Sequence, residues 1–292
     1  MIQVIGKKIA KLITVLVASV MVFCATFVFA GCETKRPEIE MTIEFQEETY
    51  ELTYKLYRNM YPETVAHYLE LIDLKFFDNT VIHDYSTSSS TYTGRGFYGG
   101  LYKLDENDPD ELVSLDYEGL ALKNISVWKD AAKKDALNTL VGEFGKNGYG
   151  VENNGLTCTD GSLSTAYFIA EDKSYTSDLL YTSIAEGGKQ YKYNSTTSGF
   201  FISKGTNSSL NEYFCTFGVL KSQSDKDEFA ALTAAIDEYI SEKQEADEDY
   251  DFTSEKEFDI KGNEYVGESK VTFNVPENEG AIIVKTVRVE KY

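Results

Sequence analysis

Met41, Ile43 and Phe45 alternate with polar residues, and beyond Gln46-Glu47-Glu48 the alternation resumes as Tyr50, Leu52, Tyr54 and Leu56. A period of two on both sides of a short polar turn predicts an antiparallel hairpin with its apolar positions on one face. At Pro62 the period changes. Val65, Leu69 and Ile72 recur at helical spacing with Tyr68 and Leu71 beside them, and proline suits a first helical turn, so a helix is expected from Pro62 to near Leu74. Thr80 to His83, a Ser/Thr-rich stretch from Ser86 to Thr93 and the Gly-rich segment Gly94 to Gly100 read as short strands and loops, followed by an acidic loop from Asp105 to Glu111. A short helix is expected over Trp128–Leu140. Further strands are expected at Leu163–Ile169, Phe200–Ser203 and Phe214–Leu220, after Gly-rich turns around Gly142–Gly155. Asp225 with Glu228 has the form of a capping box, and Phe229, Leu232, Ile236 and Ile240 continue as a second amphipathic helix that runs into the charged stretch Glu245–Asp251. The chain closes with β-rich runs at Lys270–Val275 and Ala281–Val289. Many short strands with one early and one late helix predict a mainly β fold, a closed antiparallel barrel capped by two helices.

The first residues follow a different logic. Lys7, Lys8 and Lys11 precede a charge-free apolar run from Leu12 to Ala30, which ends at Phe29-Ala30-Gly31-Cys32. Basic residues, an apolar stretch and small residues in that order read as an export signal over residues 1–31. The last four residues resemble a bacterial lipobox, whose cysteine is acylated and becomes the new N-terminus, although Phe29 stands where Leu is usual. A plain transmembrane anchor is the other reading, since about 19 apolar residues nearly span a bilayer. Both readings place the remainder outside the cytoplasm on a membrane, tethered through 32–40, with 41–292 as the folded domain.

Composition sharpens this. The 292 residues carry 48 acidic and 28 basic side chains, a formal net charge of −20 that becomes −23 once the three signal lysines are removed. Such a chain does not neutralise phosphates, so nucleic acid is excluded as a partner. An anionic headgroup layer would repel it, leaving attachment to the lipid. Two histidines and four cysteines give no zinc spacing and no disulfide scaffold. Cys24 leaves with the signal and Cys32 would carry lipid, so Cys158 and Cys215 remain, paired or free. Asp247, Asp249 and Asp251 imitate the start of a calcium loop, but Phe252 and Phe258 replace its Gly and closing Glu, so a solvated charge run is the reading. No cofactor motif or metal site is expected.

An ordered series of short strings then adds a family resemblance. Tyr54-Lys55-Leu56-Tyr57 and Tyr61 to Leu69 resemble the second strand and first helix of the cyclophilin peptidyl-prolyl isomerases. Phe76 to His83 is similar to that family's aromatic-Asp-Gly-x-x-Phe-His stretch. Gly142-Glu143-Phe144, Gly161 to Ala166, Ser198 to Ile202, Leu210-Asn211 and Phe217 to Leu220 resemble its later signatures. The matches are collinear from Met41 to Val289, with insertions near 101–137, 167–193 and 245–275. The resemblance implies a closed eight-stranded antiparallel barrel with a helix over each end, loop insertions, and action on proline-containing segments as a monomer.

Prolyl isomerisation breaks no covalent bond; its barrier of about 18–20 kcal/mol is lost amide resonance. The family grips proline in an apolar pocket and donates a hydrogen bond to the imide nitrogen from an Arg just after the Phe-His pair. Preorganised donors of this kind contribute about 2.7–4 kcal/mol. Here the residue after His83 is Asp84, an acceptor, and the following pocket segment is polar. Gly199 replaces a Gln, Ser209 stands where Trp is common, and Phe214 replaces a pocket His. Phe201 and Leu210 keep the pocket floor and wall. Arg95, in Gly94-Arg95-Gly96, is a candidate replacement donor, with a solvated ion-paired Arg as its alternative. His83 and His67 read as structural.

Two functions stay open on these residues. One is a lipid-anchored isomerase assisting exported proteins, since slow proline isomerisation limits folding. The other is a weakly active or inactive peptide- or protein-binding module built on the same groove. A surface adhesion role carried by the insertions is a third.

Overall fold

The computed structural model describes residues 34–89, 94–105, 108, 111–115, 120, 128–129, 136–137, 139–145, 149, 156–167, 180–181, 190–191, 194–212, 214–259 and 270–292. The expected signal segment, Cys32 and much of the expected insertions at 101–137 and 167–193 lie outside them. Two units divide the chain. In the first, residues 1–34 with Tyr292, the Thr34 amide donates to the Tyr292 carbonyl. The second, Lys35–Lys291, holds every element below.

The opening hairpin is β1 (Glu38–Phe45) and β2 (Glu48–Leu56), so β1 begins inside the segment expected to be tether. Ile39, Met41, Ile43 and Phe45 on β1, and Tyr50, Leu52, Tyr54 and Leu56 on β2, are buried, so the period-two pattern sends one face of the pair into the core. Each Ile, Leu, Met and Phe side chain among them contributes about 1.5–3 kcal/mol by leaving water. The two-residue turn has Gln46 at φ 50° and Glu47 at φ 66°, the left-handed geometry of a tight hairpin turn, and the Gln46 side chain donates to the Glu279 carbonyl.

Helix α1 (Pro62–Asp73) follows, with Val65, Tyr68, Leu69 and Ile72 buried. Its N-cap, Tyr61, offers no side-chain cap. Glu143 from a distant loop supplies one: its carboxylate accepts the Thr64 amide at 2.8 Å and the Glu63 amide at 3.3 Å. This satisfies donors that a helix start leaves open and puts negative charge at the positive end of the helix dipole. Burial pushes the Glu143 carboxyl above the ordinary glutamate range, and the hydrogen bonds from Thr64 and Glu63 offset this only in part.

The strands after α1 are β3 (Thr80–Val81), β4 (Asp84–Ser86), β5 (Gly96–Gly99), β6 (Tyr102–Leu104), β7 (Leu112–Ser114), β8 (Trp128–Lys129), β9 (Ala136–Leu137), β10 (Thr139–Val141), β11 (Leu163–Tyr167), β12 (Leu180–Tyr181), β13 (Gln190–Tyr191), β14 (Asn194–Ser203) and β15 (Thr216–Leu220). Helix α2 (Gln223–Ala246), β16 (Thr253–Asp259), β17 (Lys270–Pro276) and β18 (Ile283–Lys291) complete the chain. The helix expected over Trp128–Leu140 is corrected to the short strands β8, β9 and β10. With β12 and β13, β8 and β9 form a small separate sheet. Backbone pairing between these distant segments overrides the weak helical spacing of that stretch.

The main sheet runs β4-β5-β14-β11-β15-β2-β1-β18-β3-β6-β7, with β10 branching from β14, all antiparallel. The expected closed, eight-stranded barrel is thereby corrected to an open, strongly curled sheet of more strands. The added strands β6 and β7 extend it past β3. The segment linking its two ends is interrupted at Ile82-His83, so β3 pairs with β18 and β6 while β4 pairs with β5. Helix α1 packs against β18 and β10, and α2 against β2 and β15. The start of α2 is also corrected. Ser222 is the N-cap and Asp225, at the third helical position, completes the capping box, so the helix begins ahead of the Asp225–Glu228 pair. Asp225 also accepts the Thr53 amide at 2.9 Å, tying α2 to β2. Phe229, Leu232 and Ile236 are its buried face.

Glu143→Ala is expected to lower unfolding stability by about 1–3 kcal/mol, because it strands buried helix-start amides. Urea denaturation checks this, with Ser222→Ala, an ordinary cap deletion of about 1 kcal/mol, as reference.

Candidate functional site

The register of five strands builds the site. Asp84 on β4 pairs with Tyr98 on β5, Tyr98 with Phe201 on β14, Phe201 with Ser164 on β11, and Ser164 with Thr216 on β15. One residue along, Tyr85, Phe97, Ile202 and Leu163 form the parallel row. All four of these belong to the main core. Successive side chains point to opposite faces, so the Asp84–Tyr98–Phe201 row occupies the other face of the curled sheet.

On that face Tyr98, Cys158, Phe201, Leu210 and Phe214 form a second apolar cluster. The Phe201 ring lies 4.5 Å from Tyr98 and 5.4 Å from Phe214, centroid to centroid. Leu210 comes from the 3-10 turn Ser208–Glu212, and the Phe214 amide donates to the Leu210 carbonyl at 2.8 Å. Cys158 fixes this loop from beneath: its amide donates to Asn211 Oδ1 at 3.1 Å, and its carbonyl accepts the Asn207 amide. The structure therefore brings together Phe201, Leu210 and Phe214, the three apolar residues expected to line a pocket. Gly199, two residues before Phe201 on β14, is buried, and its carbonyl accepts the Tyr68 hydroxyl of α1.

Phe201 and Leu210 are 0 % exposed, so their cluster is filled. The filling group is the backbone of Gly94. A Cβ built on Gly94 would overlap the Phe201 ring and lie 2.8 Å from Leu210 Cδ1, so only glycine fits. The Tyr98 hydroxyl accepts the Gly94 amide at 2.8 Å and donates to the Gly94 carbonyl at 3.3 Å. Arg95, the next residue, is exposed at the surface before β5, and its carbonyl accepts the Lys204 amide.

Asp84 stands at the edge of the same row, partly exposed. Its Oδ1 accepts the Asn274 amide of β17 at 2.9 Å. Burial raises its carboxyl above the ordinary aspartate range, opposed by the hydrogen bonds from Asn274. The β16–β17 hairpin, which covers most of the expected 245–275 insertion, docks through aromatic rings. Phe273 lies 4.7 Å from His83, Phe258 4.7 Å from Tyr102, and Phe252 5.2 Å from Tyr85. The two phenylalanines that break the calcium-loop pattern, Phe252 and Phe258, are thus packing residues.

His83 is 1 % exposed between Tyr102 and Phe273, and its Nδ1 has no hydrogen-bond partner among the described residues. Burial pushes its pKa down to about 3, with the Val81 backbone bond opposing. It is a neutral core imidazole. Cys158 and Cys215 are both free and buried, and Cys215 lies in the main core cluster. A cleft of about 790 Å³ lies elsewhere, lined by Glu44, Glu47, Tyr239, Glu242, Lys243 and Glu279, and no residue of the Phe201 cluster contributes to it.

Sequence reasoning missed Tyr98 and Asn274. Tyr98 was legible in outline, as a residue of a Gly-rich strand at alternate spacing. Asn274 was not, because its role depends on where the β16–β17 hairpin docks.

The burial of His83 gives a pH dependence. Its folded pKa lies below the ordinary histidine value of about 6.5, so between these values the unfolded chain binds the extra proton and stability falls as pH falls. From pH 7 to pH 4.5 the wild type should lose about 2–3 kcal/mol more than His83→Gln, read from urea midpoints at both pH values. The raised carboxyls of Asp84 and Glu143 act oppositely, favouring the fold at low pH, and cancel in this difference.

No protein-family model and no curated protein matches the chain. Among solved structures it is similar to a cyclophilin-type peptidyl-prolyl cis-trans isomerase of Cryptosporidium parvum, at 12% identity and a TM-score of 0.39, over 88% of this chain and 99% of that one. A structure of that isomerase in the presence of the dipeptide Ala-Pro is similar at 12% identity and a TM-score of 0.39, over 87% of this chain and 99% of that one.

Proposed function

We propose that the chain is a cyclophilin-like protein of the cell exterior, held to the membrane through lipidated Cys32, that engages proline-containing segments of exported proteins over the Phe201 face as a monomer. The ordered series of family-like strings supports the family reading. Its support in the fold is that Phe201, Leu210 and Phe214 converge on one face beside Asp84.

The observation that favours binding over catalysis is Asp84. At the position of the family's donor stands a carboxylate that accepts a hydrogen bond from Asn274. An acceptor opposes electron density developing on an imide nitrogen, and Arg95, the nearby basic residue, is exposed in the turn before β5. Binding with little isomerisation is therefore the favoured reading. The isomerase reading keeps one observation of its own, the retained aromatic floor Phe201 with its Leu210 wall.

In a protease-free isomerisation assay the wild type should match the uncatalysed rate. Asp84→Arg should raise the rate at least about tenfold, part of what a preorganised donor contributes. A titration with Ala-Ala-Pro-Ala should saturate and be abolished by Phe201→Ala. A wild-type rate well above background that is lost in Phe201→Ala would replace the binding module with the isomerase. Absence of peptide binding would remove the proline reading altogether.

A further inference from the structure

We propose that Tyr98 and Gly94 form an internal latch that keeps the Phe201 surface closed, with the Gly94 backbone seated where an apolar guest would lie. The latch itself rests on geometry alone; that its guest is a proline segment rests on the function proposed above.

Three features make it a built closure. The Tyr98 hydroxyl engages both backbone groups of Gly94, accepting from the amide at 2.8 Å and donating to the carbonyl at 3.3 Å. Gly94 carries no Cβ, and one there would collide with the Phe201 ring and Leu210. Gly96, two residues on, also passes near the ring: a Cβ on it would lie 2.9 Å from Phe201 Cε2, although the Ile202 carbonyl of the paired strand is its nearer obstacle. The surface is thus covered by backbone, which is polar, and the polar groups of Gly94 are satisfied by the hydroxyl of the Tyr98 ring, which lies tilted beside Phe201. Burying an amide and a carbonyl over an aromatic ring is costly without such partners. The hydroxyl makes the closed arrangement tolerable, and its loss frees the surface.

The closed state bears on affinity directly. A ligand that binds only the open form shows its intrinsic affinity reduced by the fraction open. Removing the latch therefore strengthens binding, the reverse of what deleting a contact residue does. Tyr98→Phe keeps the ring and deletes both hydrogen bonds. Gly94→Ala keeps the hydroxyl and adds a methyl group that the closed form cannot hold.

Cys158, in the same cluster and 0 % exposed, reports opening without any ligand, and Cys215, also buried but in the main core, serves as the internal control. The full-length protein is treated with iodoacetamide and alkylation is assigned to each cysteine by peptide mass spectrometry. Tyr98→Phe and Gly94→Ala should each speed Cys158 alkylation about tenfold, with Cys215 unchanged, and should tighten Ala-Ala-Pro-Ala binding by a similar factor. An unchanged Cys158 rate in both variants overturns the latch. So does an equal acceleration of Cys215, which marks general loosening. Faster Cys158 alkylation with no peptide binding by any form leaves the latch standing and removes the proline reading.

Discussion

The cross-strand register through β4, β5, β14 and β11 is the constraint on which the rest of this structure depends. Because successive side chains alternate faces, a single pairing sends Tyr85, Phe97, Ile202 and Leu163 into the core and leaves Asp84, Tyr98, Phe201 and Ser164 on the other side. A slip of one residue would exchange the two sets, placing a carboxylate in the core and forcing Phe97 and Ile202 into the smaller cluster around Leu210. The core row is large and apolar, so the cost of that exchange fixes the register. The candidate site inherits its geometry from the core and needs no separate scaffold.

Onto this face the chain adds material of its own. The β16–β17 hairpin is held by Phe252, Phe258 and Phe273 against rings of the sheet, and its backbone supplies the amide that satisfies Asp84. An Asp at the sheet edge and a hairpin amide beside it are consistent with each other, since a partly buried carboxylate needs a donor. An Arg at the same place would meet a backbone donor and lose that partner. Asp84 and the hairpin thus form one arrangement. The same economy recurs at α1, where Glu143 from a distant loop does the capping that Tyr61 does not.

Local pattern carried much of the fold. The β1–β2 hairpin, both helices, and the strands around Leu163, Phe201, Phe217 and Val284 were legible because each buries one face at its own period, and burial leaves a mark in the sequence. The apolar trio of Phe201, Leu210 and Phe214 was legible through the order of short strings. The stretch 128–140 was misread because two-residue strands are shorter than any period that could announce them. The cap of α2 was misplaced because Ser222 and Asp225 satisfy the same pattern three residues earlier than Asp225 and Glu228.

The sequence by itself determined the mainly β character, the two amphipathic helices and the acidic charge. These follow from side-chain chemistry and periodicity, which need no partner. Only the tertiary structure decided that the sheet stays open, that Glu143 caps α1, that a hairpin amide holds Asp84, and that Gly94 fills the space over Phe201. Each of these is a contact between segments far apart in the chain or a fit of backbone against a ring. Such contacts depend on distances that composition and spacing do not carry.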